Sequence, residues 1–528
     1  MMRKAALTLA LSFWMAGCAR APESFDVVLK SGRVIDPETN LDAVRDVGIR
    51  GDTVARISTE ALSGARTIDV RGLVVAPGFI DLHQHGQSAD DCRRMALDGV
   101  TTALELEVGV PDIRRFIDAR RERTPIHFGA TASHLAARLR AWDVPLPVSI
   151  FGPDAGIIPQ SGPATNEPAS PERLNQMLGT LRSQIEAGAL GVGMGLEYSP
   201  GATRHEVIEL FRLAAALGTP VYVHVRSSGR IEPGSSVEAI NEVIGAAVIS
   251  GAALHIVHVN SSCMRDAPEC LSMIAGARAR GLDVTTEAYP YTAGMTFINS
   301  AFFDPGWRER KGLDYSDLEL PESGERLTRE RFEALHAAPE PLVVLIHMNP
   351  DELVDAVMAA SLVAVASDGL KDHPRGTGTH ARVLARYVRE QKTLSLNEAI
   401  RKMSLMPAQR LDGEAVQNGA IVVDIRPEFQ RRTDGEIPGA VVIERNHLEW
   451  RLHPASTGRI EEAVDVDVRW IVICDEGYAS SLAAATLRLI GLHRATDVVG
   501  GFQAWRAAGL AVSAPGKVTP PRLAPGTH

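Results

Sequence analysis

Between residues 78 and 411, short strand patterns alternate with longer helical patterns. The runs fall at residues 78–83, 101–107, 126–132, 190–194, 220–224, 254–258, 284–287 and 362–367, which makes eight. Helical periodicity fills many of the gaps, at 113–122, 171–187, 205–217, 236–250 and 271–280. Strands joined through helices pair in parallel, because a parallel connection needs a long crossover. Eight of them over this length predict an α/β chain built on a closed (β/α)8 TIM barrel, whose strand C-termini open at one mouth. Two stretches interrupt the alternation. Residues 151–170 are Pro/Gly-rich and are expected as a loop over the mouth. Residues 293–341 form a long insert, expected as a lid.

The ends of these strands carry the chemistry. The first run closes in Asp81-Leu82-His83-Gln84-His85. Side chains alternate along a strand, so His83 and His85 point the same way and can grip one ion. On the second run Glu105 and Glu107 share a face, with Leu104 and Leu106 on the other. His224 closes the fifth run, His258 the sixth, and Asp368 follows the eighth. Imidazoles and carboxylates suit zinc, one ion or two. Bound zinc brings the pKa of its water towards 7. A nearby carboxylate can take the attacking proton and return it to a leaving nitrogen. Asp368 is placed for that role, and Glu107, nearer the mouth than Glu105, is expected to bridge the metal ligands.

Length, 528 residues, suggests about three domains. Residues 25–75 read as short strands punctuated by glycines, a small β-sandwich module ahead of a barrel at 76–411. The pattern restarts after Leu411, with strands expected at 420–424, 441–443, 470–474 and 496–499. Residues 513–528, rich in Pro, are expected as a disordered tail. The N-terminus has two basic residues in 1–4, an apolar run over 5–16, then Gly17-Cys18, the layout of a signal peptide. Met15-Ala16-Gly17-Cys18 resembles a bacterial lipoprotein signal. That implies lipid on Cys18 and, with Ala19 following, export to the periplasmic side and the outer membrane. The other cysteines are Cys92, Cys263, Cys270 and Cys474, too few for a disulfide scaffold, although Cys263 and Cys270 are close enough in sequence to pair. No later stretch is apolar for long enough to span a bilayer. A net charge of −10 argues against a nucleic-acid partner and leaves a small-molecule substrate.

Over residues 25–411 the sequence resembles the amidohydrolase superfamily, and within it the D-aminoacylase (N-acyl-D-amino-acid deacylase) family. The pieces are Gly78-Phe79-Ile80-Asp81-Leu82-His83-Gln84-His85, Gly99-Val100-Thr101-Thr102, Gly195-Leu196-Glu197-Tyr198-Ser199-Pro200-Gly201, Tyr289-Pro290-Tyr291-Thr292-Ala293-Gly294 and His373-Pro374-Arg375. The resemblance implies that His83 and His85 bind one metal. It implies that His224 and His258 bind the other or stabilise the oxyanion, and that Asp368 is the acid/base. Arg375 and Tyr289 would match residues that contact the substrate carboxylate and the carbonyl. The chain departs from the family at three site positions. Val108 stands in the neighbourhood of a bridging Cys, so Glu107 must substitute; Asn260 stands where Lys is usual; Met295 replaces a polar Ser. These departures bear on substrate more than on reaction type. The family also completes its small β module with C-terminal strands, whereas this chain enters another domain near Gly413.

In that last domain Cys474 ends an apolar strand, and a loop leads from it into a helix. A thiol at a helix N-terminus sees oriented N–H groups that favour thiolate. Val423-Asp424-Ile425-Arg426-Pro427, Gly435-Glu436-Ile437-Pro438-Gly439-Ala440 and Gly500-Gly501-Phe502-Gln503-Ala504-Trp505 complete a set that resembles the rhodanese family over 418–512. That implies a persulfide-forming Cys474. Asp475 and Ala479 stand where Arg is common in thiosulfate-using members, and Asp475 and Glu476 should repel thiosulfate. The expectation is therefore weak or altered sulfur transfer, or a binding module. For the barrel it is a zinc-dependent amidohydrolase acting on N-acyl-D-amino acids. A cyclic amidase, as in dihydroorotase or hydantoinase relatives, is the alternative.

Overall fold

The computed structural model describes residues 24–513, apart from 122, 148, 150, 153, 341, 371–372, 418–420, 467, 493, 499, 508–509 and 511. The signal peptide expected over 1–18, its Cys18, and the tail after Ser513 lie outside the described residues.

Two compact units divide at Pro77 and Gly78. The first unit is one mixed sheet of five strands, with Ser24–Asp36 pairing antiparallel to Leu41–Arg50 and parallel to Ser63–Asp69 and Val74–Val75. Thr53–Ser58 adds the far edge. Among the described residues of this unit there is one layer, not the two of the expected sandwich. Val44, Val54, Leu73 and Val74 stay exposed on this sheet.

The second unit opens with the eight parallel strands, β1 (Phe79–Asp81), β2 (Val100–Val110), β3 (His127–Ser133), β4 (Val192–Gly195), β5 (Val221–His224), β6 (Leu254–Ile256), β7 (Val284–Ala288) and β8 (Val363–Val365). They pair in chain order from β1 to β8. At the C-terminal rim the ring is drawn together by a parallel bridge between Gln84 and Gly369. Ser367 reinforces it, donating its N–H to Asp81 Oδ1 (3.0 Å) and its hydroxyl to the His83 carbonyl (3.1 Å). A Cβ on Gly369 would fall 2.3 Å from the Gln84 amide, so a larger residue there would have to displace the Gln84 side chain.

The helices form because apolar residues recur at helical spacing behind good caps. Ser236–Ser250 is typical: Ser235 and Glu238 make a capping box, Gly251 ends it at φ +76°, and Ile240, Val243 and Ala247 face the barrel. Inside the barrel, Leu82, Leu104, Leu106 and Tyr222 make a separate apolar plug. The site therefore sits above a packed core.

The insert after β7 is ordered. Ala293–Phe297, Leu318–Glu319 and Val343–His347 make a three-stranded antiparallel sheet. Phe303 meets Trp307 and Phe332 edge to face, Trp307 meets Tyr315 in the same way, and Tyr315 lies tilted against Phe332. Their cluster extends to Val108, Leu135 and Tyr198, which seats the insert on the barrel mouth. After the helix Met406–Gln417, four parallel strands follow in the order Val441–Val442, Ile421–Asp424, Trp470–Ile473, Thr496–Asp497. They enclose a core around Trp470, Val472 and Leu487.

Candidate metal centre

The rim brings every expected donor into one pocket. His83 Nε2 lies 3.2 Å from His85 Nε2 and 3.1 Å from Glu107 Oε2. His85 Nε2 is 3.2 Å from the same oxygen. Asp368 Oδ1 stands 3.5 Å and 3.4 Å from the two imidazole nitrogens. Four donors at arms of about 2.0–2.1 Å around tetrahedral zinc lie about 3.3 Å apart. This quartet has those separations. The other oxygen of Glu107 faces a second group, His224 Nδ1 at 2.5 Å and His258 Nε2 at 3.0 Å. One carboxylate thus serves two donor sets, the arrangement expected of a bridge.

Each imidazole is aimed by a partner on its other nitrogen. Glu287 Oε1 holds His83 Nδ1 (2.7 Å), Glu105 Oε2 holds His85 Nδ1 (2.7 Å), and the Ser262 hydroxyl holds His258 Nδ1 (3.0 Å). His224 is reversed, with Glu197 Oε2 at Nε2 (3.0 Å). Such outer partners fix which nitrogen carries hydrogen and leave the inner one free to ligate. His258 and Asp368 are also held at φ +28° and +46°, strained for residues other than glycine.

Electrostatics make the same point. Glu105, Glu107, Glu197, Glu287 and Asp368 are buried against these imidazoles, and the cations touching them are Lys311 and Arg375. Burial works against charge on His83 and His85, but Glu107, Glu105 and Asp368 outweigh it and hold both imidazoles well above their usual value, so without an ion protons on these rings offset the carboxylates, a role that a bound cation would take over. Burial works against charge on Glu287 and Glu197. The neighbouring histidines, and Lys311 for Glu197, outweigh it and hold both carboxyls at about 2. Burial likewise disfavours charge on His224, but its bonds to Glu107 and Glu197 carry it up to about 9. Asp368, despite its burial, is held well below the usual carboxylate range by Arg375 and the histidines.

Arg375 Nη1 binds Asp368 Oδ2 (2.6 Å), and the guanidinium lies over the Tyr289 ring at 4.5 Å. Arg375 is fully buried, yet its Nε and Nη2 have no partner in the protein. Two unpaired N–H donors in one plane make a fork for a carboxylate. Burial pushes the Tyr289 phenol up to about 12, so it remains a donor. Asn260 donates to the Tyr289 carbonyl (3.1 Å) and accepts from Asn349 at its own carbonyl (2.8 Å). Tyr289, Glu107, His224, His258 and Asp368 line a cavity of ≈ 40 Å³, together with the apolar side chains of Ile158, Met295, Phe302, Ile346, Met348 and Leu370. The 151–170 stretch also contributes Phe151, stacked on His85 at 4.9 Å.

Three groups escaped the sequence reading. Glu287 was visible at a strand end, but its pairing with His83 needs the closed ring. Glu105 was read as sharing a face with Glu107, and both do turn into the site, but its partnership with His85 Nδ1 was not read. Glu197 lies in a recognisable motif, but Lys311, its partner, comes from the insert.

In the C-terminal domain Cys474 Sγ accepts N–H bonds from Gly477 (3.2 Å) and Ser480 (3.3 Å), and the Ser480 hydroxyl lies at 3.3 Å. Asp475 is turned aside by a bond from Gln503 (2.8 Å). Cys263 and Cys270 are free thiols, not the pair their spacing allowed.

Comparison with known proteins agrees with this architecture. The chain is 28% identical over 442 residues to N-acyl-D-glutamate deacylase of Alcaligenes xylosoxydans xylosoxydans, covering 73% of this chain and 83% of the relative. It is 27% identical over 414 residues to D-aminoacylase of the same organism, covering 74% and 84%. The solved N-acyl-D-glutamate deacylase of Bordetella bronchiseptica, which holds zinc and a phosphonate inhibitor, matches with a TM-score of 0.60 at 23% identity, covering 74% of this chain and 86% of that one. At that identity the likeness establishes the fold. A model described as a rhodanese-like domain matches residues 408–508. The chain is thus similar to D-aminoacylases over its barrel and carries a rhodanese-like domain at its C-terminus.

Proposed function

We propose that the barrel is a metal-dependent hydrolase of amide C–N bonds, acting on N-acyl-D-amino acids. The observation that carries this is the quartet of His83, His85, Glu107 and Asp368, whose donor atoms are spaced as around zinc, with His224 and His258 on the far side of the shared carboxylate. Zinc bound by these residues would supply a Lewis acid and lower the pKa of a water towards neutrality. The chain does the rest. Arg375 takes the substrate carboxylate on Nε and Nη2. The Tyr289 hydroxyl donates to the acyl oxygen as it gains charge. Asp368, with Oδ2 fixed on Arg375, uses Oδ1 to take the proton of the attacking water and pass it to the leaving nitrogen. The apolar cavity wall favours a substrate with an apolar side chain or acyl group over an acidic one.

Amine release from a panel of N-acyl-D-amino acids, their L-enantiomers and cyclic imides tests this. We expect turnover of neutral D-substrates. Ring opening of imides without deacylation would move the assignment to a cyclic amidase.

For the C-terminal domain we propose slow sulfur transfer at Cys474. Its sulfur sits on two backbone N–H donors, while Asp475 and Glu476 oppose an anionic donor. Thiocyanate formation from thiosulfate and cyanide tests it. We also propose that the chain is exported and lipid-anchored at Cys18, on the pattern of residues 1–18.

A further inference from the structure

The insert sets one charged side chain, Lys311, behind the pocket wall, against the pocket-lining Glu197. Its helix Trp307–Lys311 is bracketed by Gly306 and Gly312, at φ +85° and +66°. Trp307 is anchored against Phe303 and Phe332, with ring centroids 5.2 and 5.5 Å away. Residues four apart share a helix face, so anchoring Trp307 turns Lys311 inward too. Lys311 Nζ lies over the Phe302 ring at 3.8 Å, donates to Ser228 Oγ (2.9 Å) and bonds Glu197 Oε1. The other oxygen of Glu197 meets His224 Nε2, and His224 Nδ1 faces Glu107. The backbone presses in at the same point. A Cβ on Gly229, in the loop after β5, would meet the Arg310 carbonyl oxygen at 2.0 Å.

We propose that Lys311 is a positioning residue of the metal centre: by fixing the Glu197 carboxylate it holds the His224 ring with Nε2 on Glu197 and Nδ1 turned towards Glu107, so seating of the insert sets metal affinity on the His224–His258 side. This rests on the metal-dependent reading above. A merely structural lysine would weaken folding without selecting one binding step. Lys311 acts through Glu197, so removing either should have the same effect, and removing both should add little.

The test is zinc titration of the metal-free full chain against a chromophoric chelator, with His224→Ala identifying the binding step that depends on His224. In Lys311→Met and Glu197→Gln that step should weaken about 10- to 100-fold, with any other step unchanged. Lys311→Arg should restore most of the affinity. Gly229→Ala, which displaces the insert without touching Lys311, should weaken the same step. If Lys311→Met fails to fold, Glu197→Gln and Gly229→Ala carry the test. A His224-dependent step of wild-type strength in these variants, or equal weakening of every step, overturns the inference and leaves the metal-dependent reading standing. A wild-type chain that binds no zinc removes that reading and this inference together.

Discussion

Glu107 is the position where the account is most exposed. Its two oxygens lie 2.5–3.2 Å from four imidazole nitrogens, so Glu107→Gln removes the anionic donor of both sets while keeping shape. Outer partners of metal ligands are worth 10- to 100-fold in affinity, and a direct ligand should exceed that. Taking a loss of about 100-fold, or about 2.8 kcal/mol, sets the size of the effect. Free zinc buffered at one hundred times the wild-type Kd stabilises the wild type by about 2.7 kcal/mol, but the variant by only about 0.4 kcal/mol. At roughly 2 °C per kcal/mol for a large domain, zinc should raise the wild-type Tm by about 5 °C and the variant Tm by less than about 1 °C. Thermal unfolding with and without buffered zinc reads this directly. An undiminished zinc shift in Glu107→Gln would refute the bridging role.

Other perturbations separate the remaining claims. Asp368→Asn should retain zinc by elemental analysis and lose turnover by about 10²- to 10⁴-fold, the usual reach of acid–base catalysis; metal loss instead would make Asp368 chiefly a ligand. Lys402 donates to the Ala360 and Val363 carbonyls, and burial lowers its amine from 10.5 to about 8. Between those values the unfolded chain holds more protons than the folded one, so stability gains a contribution as pH rises through about 8 to 10.5. Lys402→Met should abolish that contribution, seen in urea midpoints at pH 7 and pH 10. Cys474→Ser should stop thiocyanate formation; turnover at the wild-type rate would remove Cys474 from that chemistry. Cys18→Ser should move the protein from the detergent to the aqueous phase on partition; unchanged partition would exclude lipid at Cys18.

Strand and helix periodicity located all eight barrel strands to within a few residues, because short strand patterns stand between longer helical ones. Those runs end in the residues that matter, so His83, His85, His224, His258 and Asp368 could be brought to one mouth by topology alone. The shared role of Glu107 was also within reach, since it stands nearest the mouth on β2. Tertiary closure decided what was hidden. Glu287 reaches His83 across 204 residues of sequence, and Lys311 reaches Glu197 across 114. Neither separation leaves a local signal. The insert was legible only as an interruption, because its order comes from packing five aromatic rings (Phe302, Phe303, Trp307, Tyr315 and Phe332) that no short-range pattern links.

The central claim is that His83, His85 and Glu107 hold an ion beside Asp368. Anomalous diffraction from crystals grown with zinc, collected on both sides of the zinc edge, locates that ion without reference to activity. The account predicts a peak about 2.0–2.1 Å from His83 Nε2, His85 Nε2 and Glu107 Oε2. Strong zinc peaks elsewhere, with none among these atoms, would contradict it.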